Sequence, residues 1–121
     1  MIRKYDAKDK ELLLKDLCAR LPYGVMVKDE LGRINKLVIG NADLVRLYYN
    51  DFSIYGEKLS LPYLFPLSSM TEEQQINLTK FVANGINGEN ILYDWYNKNH
   101  FDYRGLIEKG LAIDATGLNI Y

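Results

Sequence analysis

The residues best suited to bind a ligand lie in one short stretch, Asn99–Gly110, with two large aromatic residues one helical turn before it. The stretch combines an imidazole, a carboxylate and a guanidinium with two aromatic rings. Rings of this kind could stack on a base, and Arg104 could make a bidentate contact with phosphate or carboxylate. A binding site here would use Trp95, Tyr96, His100, Tyr103 and Arg104.

The same stretch has a purely structural interpretation. Asp102 can cap a half-helix over Tyr103–Lys109 that Gly110 ends, with Leu106 and Leu111 in contact in a Schellman closure. Arg104 can pair with Asp94 or Asp102, and the aromatic residues can cover the edge of the core. Both interpretations remain open on the sequence alone.

A second candidate surface is the segment Leu61–Pro66, in which two prolines bracket aromatic and aliphatic residues. It could be a stiff crossing that buries Leu64 together with either Tyr63 or Phe65. Alternatively, Tyr63 and Phe65 could form an exposed apolar strip for self-association or for a protein partner.

Catalytic groups are scarce, since the chain has one histidine and one cysteine. A zinc site needs several such ligands, so we predict no metal and no cofactor. Cys18 falls on the predicted apolar face of the first helix, where a buried inert thiol is expected. Gly85–Gly88 lacks the Lys-Ser/Thr of a phosphate-binding loop. We therefore predict a protein that is not an enzyme.

The first segment of the chain has a helical pattern of apolar residues. The pattern predicts a helix over Asp6–Arg20, begun by an aspartate cap and ended by Leu21-Pro22. Its apolar face would consist of residues spaced i, i+3, i+4 and i+7, namely Leu14, Leu17, Cys18 and Leu21.

Turn signals about every ten residues then predict an antiparallel meander of three or four strands. The expected strands are Gly24–Asp29, Arg33–Ile39, Leu44–Tyr49 and Phe52–Tyr55. Gly56–Leu67 is interpreted as a connector, because Pro62 and Pro66 should exclude it from a central strand.

Two or three helices are expected to follow and to pack on one face of the sheet. One begins at Ser69 or Thr71 and carries an apolar face of Leu78, Phe81 and Val82. The next spans Glu89–Lys98 and turns Leu92, Trp95 and Tyr96 toward the sheet. Residues 116–121 resemble a fraying tail. The predicted fold is therefore one α+β domain over residues 1–121.

Composition restricts the classes of partner that we predict for this protein. The net charge is −1, from 15 basic and 16 acidic residues, which lacks the basic footprint of a nucleic-acid-binding protein. Neither a signal peptide nor a membrane-spanning run is evident. We expect a cytoplasmic protein that does not bind a membrane.

Three segments in order resemble a family of small proteins encoded by phages and mobile elements of Bacteroides-group gut bacteria. They are Leu21–Val25, Leu67–Glu73 and His100–Ile107. One departure concerns Leu61 and Phe65, which stand where the family carries basic residues.

That resemblance implies a phage accessory protein that acts by binding. One expected role is an anti-defence protein that sequesters a nucleotide-type immune signal. The alternatives are a protein–protein interaction module, either a homo-oligomer or an inhibitor of a host protein, and a structural or replication accessory. A ligand site requires a concave pocket with Arg104 partly exposed, whereas an interaction module requires a flat apolar patch.

Overall fold

A computed structural model describes residues 6–28, 32–38, 61–83 and 88–121. This part of the chain is α+β, as predicted, with an N-terminal helix, a sheet and later helices. The helices are α1 (Ala7–Arg20), α2 (Glu72–Ala83) and α3 (Gly88–Lys98). The strands are β1 (Met26–Lys28), β2 (Ile34–Lys36), β3 (Leu61–Pro66), β4 (Phe101–Asp102) and β5 (Ile113–Asp114). The strands predicted at Leu44–Tyr49 and Phe52–Tyr55 lie outside the described residues.

Helix α1 begins and ends where the sequence predicts. The Asp6 side chain caps it by accepting a hydrogen bond from the Asp9 backbone N–H at 2.7 Å. Its buried face, however, is rotated by one residue from the predicted one and consists of Leu13, Asp16, Leu17 and Arg20. Cys18 is exposed, so the prediction of a buried thiol is wrong. An ion pair occupies half of the buried face, and apolar periodicity cannot detect such a face.

Strand β3 is the centre of the sheet, which corrects the prediction of a connector. It pairs antiparallel with β1, with Val27 opposite Pro62. The prolines stand at the second and last positions, so the residues between them keep their N–H donors; the Phe65 N–H donates to the His100 carbonyl at 2.8 Å. Proline is tolerated in a strand where its missing donor is not needed by the ladder.

The sheet is mixed, not the predicted antiparallel meander. Strands β1 and β2 do pair antiparallel, as a hairpin-connected sheet requires. Strands β4 and β5 instead run parallel to β3, opposite Phe65 and Tyr63 respectively. Parallel pairing needs a long crossover connection, and α2 and α3 provide the one between β3 and β4.

Helix α2 begins with a reciprocal capping box at Thr71, one of the two predicted starts. The Thr71 hydroxyl accepts from the Gln74 N–H at 3.1 Å, and the Gln74 side chain accepts from the Thr71 N–H at 2.8 Å. No residue of α2 is buried, and Phe81 of its predicted apolar face is exposed. Capping, together with contact with α3, therefore defines this helix.

The corner before Gly110 is a series of turns and not the predicted half-helix. Both Schellman hydrogen bonds are nevertheless present: Leu111 N–H donates to the Leu106 carbonyl at 2.8 Å, and Gly110 N–H to the Ile107 carbonyl at 3.1 Å. The Asp102 carboxylate accepts from the N–H groups of Leu106 and Ile107, each at 2.9 Å. Asp102 thus accepts from N–H groups four and five residues ahead of it, whereas a helix N-cap accepts from groups two or three residues ahead.

The apolar core lies between α1, the sheet and this corner, and it includes Leu13, Leu17, Val25, Leu64 and Leu106. In the segment predicted as a fraying tail, residues 116–119 are exposed. Tyr121, however, folds back onto the sheet: its hydroxyl accepts from Met26 N–H at 2.9 Å and donates to the Tyr63 carbonyl at 2.6 Å.

None of the described helices has the length and apolar character to span a bilayer.

Candidate functional site

A cleft of about 460 Å³ opens between α1, α3 and the segment that follows β4. Its lining combines two cationic side chains, two tyrosines, an amide and an alanine: Lys15, Arg104, Tyr93, Tyr103, Asn97 and Ala19. Its volume falls within the roughly 300–1,000 Å³ typical of small-molecule sites. These groups can stack, attract an anion and form directed hydrogen bonds, so the lining is suited to binding.

Three tyrosines form a stack along one wall of the cleft. The ring centroid of Tyr103 lies 5.0 Å from that of Tyr93, with 25° between the planes. It lies 5.6 Å from that of Tyr96, with 21° between the planes. Tyr93 retains 39% exposure and presents the accessible ring of the stack. Tyr93 is therefore the most exposed of the three rings.

The cationic wall is built on one buried carboxylate. Asp16 accepts from Arg20 Nε at 2.8 Å through Oδ2 and from Arg104 Nε at 3.1 Å through Oδ1. Arg20 also donates from Nη2 to the Phe101 carbonyl at 2.6 Å and is fully buried. Two guanidinium groups share one carboxylate, so this group carries one positive charge in excess.

Arg104 is the member of this group that reaches the cleft. Its side chain is 17% exposed, whereas that of Asp16 is 0% exposed. Its Nη2 donates to the Tyr103 hydroxyl at 2.9 Å, and its Cζ lies 4.8 Å from the Tyr103 ring centroid. The predicted partners Asp94 and Asp102 are thus replaced by Asp16 and Tyr103. A guanidinium fixed in this way can present its remaining N–H groups in a defined direction.

Asn97 supplies an acceptor that lacks a partner. The residue is 5% exposed and lines the cleft, yet among the described residues nothing donates to its buried Oδ1. Buried polar atoms are hydrogen-bonded in the great majority of cases, so such an atom requires an explanation. The oxygen itself is closed off from the cleft, so Asn97 lines the cleft through its other atoms.

The structure brings together only part of the predicted ligand set. Tyr103 and Arg104 line the cleft, and Tyr96 supports the stack. Trp95 belongs to the core instead: it is 7% exposed and stacks on Phe101 with 5° between the rings. Of the predicted interaction strip, Tyr63 is buried, at 6% exposure, and Phe65 is half-buried and contacts the rings of Phe101 and Tyr121.

His100 lies under the tail, outside the lining of the cleft. Its ring stacks on Tyr121 at 3.7 Å between centroids, and its backbone adopts φ 62°, a left-handed conformation that few residues other than glycine take. Burial, and then the charge of Arg20, lowers the pKa of His100 from 6.5 to about 4. Burial likewise raises the pKa of Tyr121 to about 12. Both rings are therefore neutral at pH 7.

Sequence reasoning missed Lys15, Tyr93 and Asn97 as lining residues, and Asp16 with Arg20 as their support. Two signals could have identified them. Tyr93, Tyr96 and Asn97 recur at i, i+3 and i+4, which marks a polar aromatic face of α3. Asp16 and Arg20 are an i, i+4 pair of opposite charge on α1.

Comparisons with protein-family models, curated proteins and solved structures find no match to this chain. The resemblance to phage-encoded proteins therefore stays a prediction. Within residues 6–28, 32–38, 61–83 and 88–121, no three His, Cys, Asp or Glu residues are placed to hold a metal ion. The cleft is the feature on which a function can be argued.

Proposed function

We propose that this protein binds a small, planar, anionic ligand of nucleotide type in the cleft between α1 and α3, without transforming it. The observation that carries the proposal is the meeting, in one cleft, of the exposed ring of Tyr93 with the partly exposed guanidinium of Arg104. The first suits a flat ring system and the second an attached phosphate or carboxylate.

Charge supports the anionic part of the ligand. Arg20 and Arg104 exceed Asp16 by one positive charge, and Lys15 adds another at the rim. A cleft lined by one sign of charge concentrates counter-ions of the opposite sign. The protein as a whole is slightly acidic, at −1, so this attraction is local to the cleft.

The biological role that fits this proposal is sequestration of a nucleotide signal. It rests on the resemblance to phage and mobile-element proteins, which implies an accessory that acts by binding in the host cytoplasm. A protein of this kind could lower the free concentration of an immune messenger without consuming it, provided that it is abundant.

Thermal unfolding in the presence of a nucleotide panel tests the binding proposal. A ligand at one hundred times its Kd should stabilise the folded protein by roughly 2.7 kcal/mol, which is readily seen as a rise in Tm. The panel should include mononucleotides, cyclic nucleotides and ADP-ribose, with inorganic phosphate to measure the contribution of the anion alone.

Two tyrosine variants provide a matched comparison. Tyr93→Ala removes the stacking ring and should weaken binding by roughly 1–3 kcal/mol, the usual contribution of one base–aromatic stack. Tyr23→Ala removes a tyrosine of almost equal exposure, 37% against 39%, that does not line the cleft. Equal binding by both variants, or no stabilisation by any member of the panel, would overturn the proposal.

A further inference from the structure

The Tyr121 hydroxyl stands inside the hydrogen-bond ladder between β1 and β3. Val27 pairs with Pro62. In the same register, Met26 stands opposite Tyr63. Two kinds of pair alternate in an antiparallel ladder, and since Pro62 has no N–H to exchange, Met26 and Tyr63 form the kind that exchanges two direct hydrogen bonds. One of these bonds is interrupted: the Tyr121 hydroxyl accepts from Met26 N–H at 2.9 Å and donates to the Tyr63 carbonyl at 2.6 Å.

Aromatic contacts hold the Tyr121 ring beside this bridge. Its centroid lies 3.7 Å from that of His100, with 11° between the planes, and 5.8 Å from that of Phe65. These two residues are themselves joined, since the Phe65 N–H donates to the His100 carbonyl at 2.8 Å. Tyr121 therefore connects β1, β3 and the residue that precedes β4.

Release of Tyr121 leaves neither backbone group without a partner. Buried backbone N–H and carbonyl groups are almost always paired, and an unpaired one is costly. Met26 N–H and the Tyr63 carbonyl are register partners, so they can bond directly once the hydroxyl between them has left. The ladder thus has two satisfied arrangements, one bridged by Tyr121 and one paired directly. An element with two discrete arrangements can act as a switch.

Residues 116–119 form an arch between two anchored ends. They are exposed, and the backbone turns through a left-handed conformation at Gly117, with φ 80°. At one end, Ala115 N–H donates to the Leu64 carbonyl at 2.8 Å. At the other end, the bridge holds Tyr121. Release of Tyr121 frees this second end while Ala115 keeps the first in place.

The arch also forms part of the wall of a second cavity. This cavity has a volume of about 230 Å³ and shares no lining residue with the cleft between α1 and α3. Thr116 and Gly117 of the arch line it together with the rings of Phe65 and Phe101. Movement of the arch therefore changes both the width of the cavity and the exposure of aromatic rings in its wall.

We infer that segment 116–121 is a releasable strap over this aromatic cavity, locked by the Tyr121 hydroxyl in the β1–β3 ladder and released when Met26 and Tyr63 pair directly. Release is local, because Tyr121 is not a member of the apolar core cluster. The ring gives up its contacts with His100 and Phe65, while the core between α1 and the sheet stays packed.

NMR can detect the direct bond through the scalar coupling between the Met26 nitrogen and the Tyr63 carbonyl carbon. Tyr121→Ala removes the bridge, so the coupling should be present in this variant and much weaker in the unaltered protein. Tyr23→Ala, which removes a tyrosine of similar exposure, 37% against 43%, should match the unaltered protein. If Tyr121→Ala does not fold, Tyr121→Phe removes the hydroxyl alone and gives the same reading.

Absence of the coupling from the folded Tyr121 variant would overturn the inference, because Met26 and Tyr63 would then not close the gap. Equal coupling in the unaltered protein and the variant would overturn it as well, since the hydroxyl would not be what keeps the two groups apart.

Relaxation dispersion tests whether the strap opens in the unaltered protein. The open state should be a minor population of about 1–10%, visible as exchange at the Met26 amide. Its chemical shift should equal that of Met26 in Tyr121→Ala, since the direct bond is present in both. Absence of exchange, or a minor state with a different shift, would show that Tyr121 is a fixed part of the sheet and would contradict the strap.

Discussion

Asp16 has the largest structural consequences of any single side chain near the cleft, because it holds two arginines at once. It is fully buried, as is Arg20. We expect Asp16→Asn to lower the free energy of unfolding by about 3–5 kcal/mol, since it leaves a buried guanidinium without its counter-charge. Urea unfolding at pH 7 measures the change.

The matched control for this substitution is Asp94→Asn, which makes the same chemical change at an exposed position of α3. It should alter stability by less than about 0.5 kcal/mol, as surface substitutions usually do. If both variants lost similar amounts of stability, the shared carboxylate would not be the anchor that the geometry indicates.

At the level of single residues, the sequence predicted some of the residues at the cleft and missed others. Tyr103 and Arg104 were predicted because arginine beside aromatic rings is a recognisable binding pattern. Asp16 and Arg20 were not, because charged residues usually mark a solvent-exposed helix face. The partners that allow this helix to bury its charges include the distant Arg104 side chain and Phe101 carbonyl. Contacts between distant residues leave no local pattern.

Among the elements, α2 owes its start to the Thr71 capping box, since none of its residues is buried. Thr71→Ala should destabilise this helix by about 1 kcal/mol, the usual cost of losing an N-cap. Because the helix is peripheral, the effect should appear as faster amide hydrogen exchange in residues 72–83 and less in global unfolding.

A threonine within the same helix provides the comparison. The Thr79 hydroxyl donates to the Gln75 carbonyl at 2.9 Å and the residue is exposed. Thr79→Ala should leave exchange in α2 unchanged or slow it, because alanine favours the helix more than threonine does. Equally fast exchange in both variants would show that the cap is not what fixes the start of α2.

Helices and turns were predicted correctly where they depend on residues close in sequence. Strands were predicted wrongly where their pairing depends on distant residues. The bounds of α1, the Thr71 start and the Schellman bonds at Gly110 each depend on residues within one turn. Strand β3 was misjudged because the position of Pro62 and Pro66 in the ladder depends on β1 and β4. Parallel pairing of β4 and β5 is likewise set by the crossover helices and leaves no trace in a two-residue strand.

For the whole molecule, the contact of Tyr121 with His100 links the tail to the sheet. The burial of His100, and then the charge of Arg20, makes stability depend on pH. The folded protein holds the pKa of His100 near 4, against 6.5 in the unfolded chain. Between these values the unfolded chain binds the proton and the folded protein does not. Stability is therefore complete above about pH 6.5 and decreases as the pH falls toward 4.

The chain has one histidine, so its contribution can be isolated. We expect the midpoint of urea unfolding to fall between pH 7 and pH 5 in the unaltered protein. His100→Asn should be less stable at both values, because the stack on Tyr121 is lost, but its midpoint should be nearly the same at the two. Asparagine suits this position because it accepts the left-handed backbone at φ 62°. A variant that kept the full pH dependence would place its source in the carboxylates and not in the ring buried under Tyr121.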